Sequence, residues 1–307
     1  MKKKMLAIAT VSSLATAAYL AIGNYFYEYA LKSKRKQGTV QEIMDMSHTD
    51  DDFLAKNPPK EKYIDSTDVP TLKLHAEAYL HPEAGHKWVV AVHGYTSHSR
   101  EMTQWVRGFY EKGLNVLTPD LRGHGLSEGE YIGMGWHDRL DVLAWVNALI
   151  AEDPEAEIVL FGLSMGGATV MMLAGEDLPD NVKVVVEDCG FASARSILSY
   201  QLKERFQLPA FPALQATNTV AKLRAGYGIF EASAVKQLAK ATVPILFIHG
   251  EADTFVPFEM IEEVYAATNT EKKKLTIPGA EHTESINVNP ELYWKTVWEF
   301  VGRFMAV

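Results

Sequence analysis

The chain is expected to fold as an α/β protein with a mostly parallel central sheet, helices on both faces and a helical cap insertion. Three observations lead there. From about residue 72 onward, short apolar runs alternate with helix-length segments, the pattern of a parallel sheet covered on both sides. Several of those runs are continuously apolar, as strands buried on two faces must be. The composition, 47% hydrophobic and 22% charged over 307 residues, suits one large globular domain and excludes a disordered or polytopic membrane chain.

The elements follow in order. Leu72–Leu80 alternates with period two, as a half-buried strand does. Trp88–Val92 and Asn115–Thr118 read as the next strands, the second ending in Pro119-Asp120 and a glycine-rich loop. Leu140, Leu143 and Ala144, then Val146, Leu149 and Ile150, stand at i, i+3, i+4 and predict a helix. Ile158–Phe161 runs as a buried strand into Gly162, and a helix is expected through Val170–Leu173. Val182–Val186, Ile245–Ile248 and Lys274–Ile277 are further strands, and Glu291–Phe304 is an amphipathic helix. Residues 190–236 break the rhythm with helical tendency interrupted by Pro209 and Pro212. They are read as a cap over the C-terminal edge of the sheet, where open α/β folds bind ligands.

Charge divides the chain unevenly. Residues 1–36 hold seven Lys/Arg and one acid, leaving 23 basic and 38 acidic residues and a net charge of −15 in 37–307. So acidic a body repels phosphate backbones, which excludes nucleic acid as a partner. Lys2, Lys3 and Lys4 precede an uncharged run from Met5 to Tyr27, and Lys32, Lys34, Arg35 and Lys36 follow it. As a helix that run is about 34 Å long, enough to cross a bilayer. Tyr25, Phe26, Tyr27 and Tyr29 stand at the end suited to headgroup level. The expectation is a single-pass anchor (a signal-anchor) within 1–36, a polar spacer leading into the fold over 37–71, and a catalytic domain over 72–307. The balanced basic flanks leave orientation open, and the export-like start tips the domain outside the cytoplasm. A cleaved signal peptide ending at Ala15-Thr16-Ala17 and an amphipathic or core helix are the competing readings.

The chemistry begins at Gly162-Leu163-Ser164-Met165-Gly166. A G-x-S-x-G between an apolar strand and a helix places the serine on a sharp turn, with glycines where side chains would collide. Ser164 is the expected nucleophile and the Met165 N–H an oxyanion donor. His282, in the loop after the last strand, is the expected base. Asp253, just past Ile245–Ile248, is the expected orienting acid, with Asp188 past Val182–Val186 as its competitor. The second oxyanion donor is expected in His93-Gly94-Tyr95, from the Tyr95 N–H. His124, in the Asp120–Gly125 loop, reads as packing beside the site. Phe211 and Leu214 of the cap are candidates for the acyl pocket. One cysteine, and histidine pairs spaced five apart, offer no metal pattern. Neither a metal nor a cofactor is implied.

Together, His93-Gly94, Asp120–Gly125, the Gly162–Gly166 turn, Gly250–Asp253 with Val256-Pro257, and His282 resemble the α/β-hydrolase superfamily over roughly 72–305. Gly135–Arg139 and the N-terminal run narrow the likeness to bacterial membrane-anchored serine hydrolases related to serine aminopeptidases and monoacylglycerol lipases. The resemblance favours carboxylic esters as substrates, the Ser164–His282–Asp253 set implies an acyl-enzyme, and the apolar residues of 190–236 point to an apolar acyl group. A peptidase or amidase, and an inert binding protein on the same fold, are the alternatives.

Overall fold

The apolar runs become strands in the computed structural model, which describes residues 2–33, 51–67 and 70–307, without the side chains of 2–13 and 51. Eight strands form one sheet: β1 (Lys60–Asp65), β2 (Lys73–Tyr79), β3 (Lys87–Val92), β4 (Asn115–Pro119), β5 (Glu157–Leu163), β6 (Val182–Asp188), β7 (Ile245–Gly250) and β8 (Lys272–Ile277). Their order is β1-β2-β4-β3-β5-β6-β7-β8. The two β2 pairings, with β1 and β4, are antiparallel and the rest are parallel.

Alternation within the central strands explains their unbroken hydrophobicity. Trp88, Val90, Val92, Ile158 and Leu160 face one core, where they meet Val142, Trp145, Val146 and Leu149. Val89, Ala91, Val159 and Phe161 face the other, against Trp105, Val106, Phe109, Tyr293, Val297 and Phe300. The first core is covered by α4 (Asp138–Glu152) and α5 (Met165–Leu173), the second by α3 (Thr103–Glu111) and α11 (Pro290–Val301). The cap consists of α6 (Ala194–Phe206), α7 (Ala210–Arg224) and α8 (Ala234–Leu238), inserted between β6 and β7. Between β7 and β8 lies α9 (Glu259–Ala267), and the four-residue α10 (Ser285–Val288) precedes α11.

The expected spacer is partly structure. Residues 51–56 form α2 (Asp51–Lys56), which buries Phe53, and β1 pairs with β2 in register from Lys60↔Ala78 to Asp65↔Lys73. The apolar-run criterion misses β1 because Lys60, Glu61, Lys62 and Asp65 leave it little apolar surface. Such charges suit an edge strand, which they protect against further pairing. Residues 37–50 and 68–69 of the spacer, and the basic Lys34, Arg35 and Lys36 before it, lie outside the described residues.

The N-terminal run requires a correction. It is helical, α1 (Lys2–Ala30), but no helix among the described residues is long and apolar enough to cross a membrane. The C-terminal half of α1 packs instead on α7. Gly23 sits so close to that helix that a Cβ there would lie 2.4 Å from the Ala216 carbonyl oxygen. Tyr27 and, just past the helix, Leu31 are buried in the first core. Arg224 lies over the Tyr27 ring and pairs with Glu28 at 2.5 Å. A 23-residue uncharged run with an aromatic end is equally compatible with docking on protein, and here the helix-facing Gly and buried Tyr decide for docking. Membrane attachment through this helix is not supported, and the single-pass topology with an outward-facing domain falls with it.

Candidate active site

The turn after β5 is built by exclusion. Ser164 has φ 55° and ψ −114°, a left-handed conformation that a side-chain-bearing residue adopts at a cost of about 1–2 kcal/mol. A Cβ on Gly162 would lie 2.2 Å from the Gly166 oxygen, and one on Gly166 would lie 2.0 Å from the Val92 oxygen. Only glycine fits either position. The turn is held by Ser164 N donating to the Asp188 carbonyl at 2.8 Å and Ala168 N to the Ser164 carbonyl at 2.9 Å.

The three residues expected to act together converge. His282 Nε2 is 2.8 Å from Ser164 Oγ, and His282 Nδ1 is 2.7 Å from Asp253 Oδ2. The other Asp253 oxygen accepts from the N–H groups of Phe255 and Val256 at 2.8 and 2.9 Å. Burial favours the neutral carboxyl, but hydrogen bonds from His249 and His282 and the Val256 N–H outweigh it and hold Asp253 below its ordinary range. The competing acid is occupied elsewhere. Asp188 accepts from Tyr293 OH at 2.9 Å, and burial raises its carboxyl to about 6.

The loop after β3 lies against the serine. A Cβ on Gly94 would be 3.4 Å from Ser164 Cβ and 3.9 Å from its Oγ, so the Gly94-Tyr95 backbone borders the reacting position. Met165 opens α5, and its N–H has no intrahelical acceptor. Two histidines brace this loop. His93 Nε2 accepts from Leu121 N at 3.0 Å while Nδ1 donates to the Gly94 carbonyl at 2.8 Å. Burial, reinforced by His124, lowers His93 to about 3, so it stays neutral. His124 accepts from Thr96 N at 3.3 Å and donates to the Arg122 carbonyl at 3.0 Å, which suits the bracing role expected of it. Asp120 ties the surrounding segments, accepting from Ser99 N, Leu126 N and His75 Nδ1 at 2.7, 2.8 and 2.7 Å. Gly125 is required beside it, since a Cβ there would lie 2.2 Å from Asp120 Oδ2.

A cavity of about 150 Å³ opens at Ser164, between the cap and the sheet. Leu214 lines it, as do Phe206, Ile197, Phe191 and Phe255. Phe211 does not. It is 71% exposed at the non-helical start of α7, outside the lining. The cap's proline-bounded turn faces solvent there, which an apolar residue in sequence cannot reveal. Sequence reasoning also missed Phe26, Tyr29 and Ala30, which line the cavity from α1. Their signal, an aromatic cluster ending an apolar run, was indistinguishable from a membrane-interface belt.

Among the described residues, Cys189, Asp253 and His282 are the only three potential metal donors whose ligand atoms lie within 4.8 Å of one another. The histidine and aspartate are engaged with each other, and burial pushes the Cys189 thiol well above its ordinary range. A thiol held protonated is a poor ligand. The donor set does not fit a metal.

Comparison with known proteins agrees with this geometry. A family model described as serine aminopeptidase, S33, matches residues 83–220. The uncharacterized protein YqkD of Bacillus subtilis is 28% identical over 99% of this chain and 98% of its own length. The Pyrococcus furiosus esterase Pf2001 superposes with a TM-score of 0.64 at 23% identity, covering 90% of this chain and 99% of its own. Est1E of Butyrivibrio proteoclasticus, with ferulic acid bound, gives 0.63 at 24% identity over 80% of this chain and 100% of its own. This is an α/β-hydrolase fold. With the Ser–His–Asp hydrogen-bond chain at its strand-to-helix turn, it makes the chain a serine hydrolase. The likeness holds for the hydrolase and not for a membrane-anchored kind, since α1 docks on the cap.

Proposed function

We propose that this serine hydrolase cleaves carboxylic esters of apolar acids. The observation that carries the reading is Ser164 Oγ, 2.8 Å from His282 Nε2, at the mouth of an apolar cavity. In this reading Ser164 attacks the ester carbonyl carbon while its proton passes to His282 Nε2, and Asp253 steadies the imidazolium. The Met165 and Tyr95 N–H groups receive the oxyanion. Collapse of the tetrahedral adduct expels the alcohol, which takes the proton from His282. Water, deprotonated by His282, then releases the carboxylic acid and restores Ser164. Leu214 and the cap aromatics shelter the acyl chain.

The family model's description raises a second reading, an aminopeptidase. Such an enzyme needs an anionic group near the site to receive the substrate's terminal ammonium. Among the described residues, those lining the cavity include no carboxylate, and the ionic one is Arg205. That supports an ester with an uncharged acyl group. The test is turnover of matched p-nitrophenyl esters and aminoacyl p-nitroanilides, alongside labelling by a fluorophosphonate. Ester turnover at least about a hundredfold faster supports the esterase reading. Faster anilide turnover would establish the peptidase, and absence of labelling would remove Ser164 as nucleophile.

A further inference from the structure

The cavity beside Ser164 is not closed by the cap and sheet alone. Phe26, Tyr29 and Ala30 of α1 belong to its lining. The Phe26 and Tyr29 rings meet Phe206, at the end of α6, edge-on at 5.3 and 5.2 Å. One aromatic side chain from the cap is thus held between two from the N-terminal helix. Aromatic rings in this arrangement resist displacement more than aliphatic chains of equal area.

The helix that carries them is tied to both halves of the molecule. On the cap side, Gly23 admits the Ala216 carbonyl and Tyr19 OH lies 3.2 Å from Thr219 Oγ1. On the sheet side, Ile132 N donates to the Leu31 carbonyl at 2.6 Å and Ser33 N to the Glu130 carbonyl at 2.9 Å. Tyr95, whose backbone borders Ser164, donates its hydroxyl to the Ala30 carbonyl at 2.9 Å. The end of α1 is therefore fixed against the same loop that borders the reacting carbonyl. An aromatic wall anchored this way has a set distance from Ser164 Oγ.

We infer that α1 is the specificity wall of the active site, with Phe26 and Tyr29 limiting the length of the acyl group. The inference rests on the proposed acyl-transfer reading and deepens it. The size of the cavity names the class. A space of about 150 Å³ lined mainly by apolar side chains admits a benzene-sized guest. The acyl group is accordingly a single ring or a chain of about six carbons.

The experiment measures labelling rates of the full chain with alkyl fluorophosphonates carrying arms of about two, six and ten carbons. These probes need only the serine nucleophile, so they report the cavity whether the natural substrate is an ester or an amide. The expected wild-type order places the six-carbon arm fastest. Phe26→Ala and Tyr29→Ala should each raise the ten-to-six-carbon rate ratio at least about tenfold, the scale on which apolar pockets sort chain length. Phe26→Trp should move the preference the other way, toward the two-carbon arm. Ile22→Ala, at an exposed position on the same helix, should keep the wild-type ratio. A ratio within about twofold of wild type in both alanine variants, with native circular dichroism, overturns the inference. Failure of the wild type to react with any probe would instead overturn the Ser164 reading, and the inference with it.

Discussion

The turn after β5 and the helix α1 both border the same cavity, yet they are specified in opposite ways. At the turn the backbone fixes the residue types: Gly162 is required by a contact of 2.2 Å to Gly166 inside the motif, Gly166 by one of 2.0 Å to Val92 on the adjacent parallel strand, and Ser164 takes the strained conformation that follows. A motif whose glycines are demanded by its own turn and by the neighbouring parallel strand reads the same on any such sheet. Along α1 nothing local decides. Its apolar residues, aromatic end and single Gly23 acquire meaning only from α7, some two hundred positions away in sequence. Function at the first is written in the motif, and at the second in the partner.

The largest expected effect breaks the first region alone. Ser164→Ala should lower kcat for any turned-over ester by about 10³-fold or more, leaving residual oxyanion stabilisation. Thermal unfolding should remain that of a folded protein, because Oγ makes no structural bond beyond His282. Activity within about tenfold of wild type, with contaminating hydrolase excluded, would refute the nucleophile. Asp253→Asn comes next. The asparagine cannot stabilise the imidazolium, so kcat should fall by about 10²–10⁴-fold while KM moves little. Asp188→Asn, which replaces a carboxylate bonded to Tyr293, should stay within about tenfold of wild type. The reverse ranking would make Asp188 the orienting acid.

The second region is broken through its crossing point. Gly23→Val would force its branched side chain against the Ala216 carbonyl, 2.4 Å from the position of Cβ. Overpacking of this kind costs about 3 kcal/mol, seen as a lowered urea midpoint. If α1 is held chiefly by Gly23 and Tyr27, limited proteolysis should cut near its end in the variant and spare the wild type. An unchanged midpoint and an unchanged digest would mean that the crossing carries little of the docking energy.

This contrast also explains what could be read in advance. Seven of the eight strands were legible: the central parallel ones because they must be apolar on both faces, as Val89 and Val90 are in opposite cores, and β2, antiparallel to both neighbours, from its period-two alternation. The missed strand, β1, lies at the edge, where one charged residue after another is tolerated. Ser164, His282 and Asp253 were legible from their positions at strand ends, since a parallel sheet brings all such ends to one edge. The cap was legible as an interruption, but not the direction of its side chains. Leu214 is buried in the cavity wall and Phe211 lies in solvent because Phe211 itself leaves the helical conformation, at φ −94°, ψ 133°, a backbone detail without an apolar periodicity. The role of α1 was illegible for the same reason that it is interesting: an uncharged helix with an aromatic end suits a bilayer and a cap equally, and only tertiary contact chooses.

The smallest expected effect separates the two aspartates by pH rather than by rate. Asp188 is wholly buried, and burial raises its carboxyl from an ordinary 3.8 to about 6, partly offset by the Tyr293 hydroxyl and the nearby histidines. Between about pH 4 and 6 the folded protein therefore holds a proton at Asp188 that the unfolded chain has released. Stability from this group is full at the acid end and declines as pH rises through that window, by no more than about 3 kcal/mol. Asp253 has the opposite sign. Its folded carboxyl is lowered, so its contribution is present above the ordinary carboxyl range and is lost only on stronger acidification. Asp188→Asn removes the first dependence and leaves the second. Urea unfolding of wild type and variant should converge near pH 4 and diverge by pH 8, with the variant the more stable, since asparagine can still accept from Tyr293 without a charge to bury. Parallel curves at all pH values would mean that Asp188 is ionised in the folded protein throughout. It would then be a second anion beside His282, and the division of labour between the two carboxylates would have to be redrawn around a shared imidazolium.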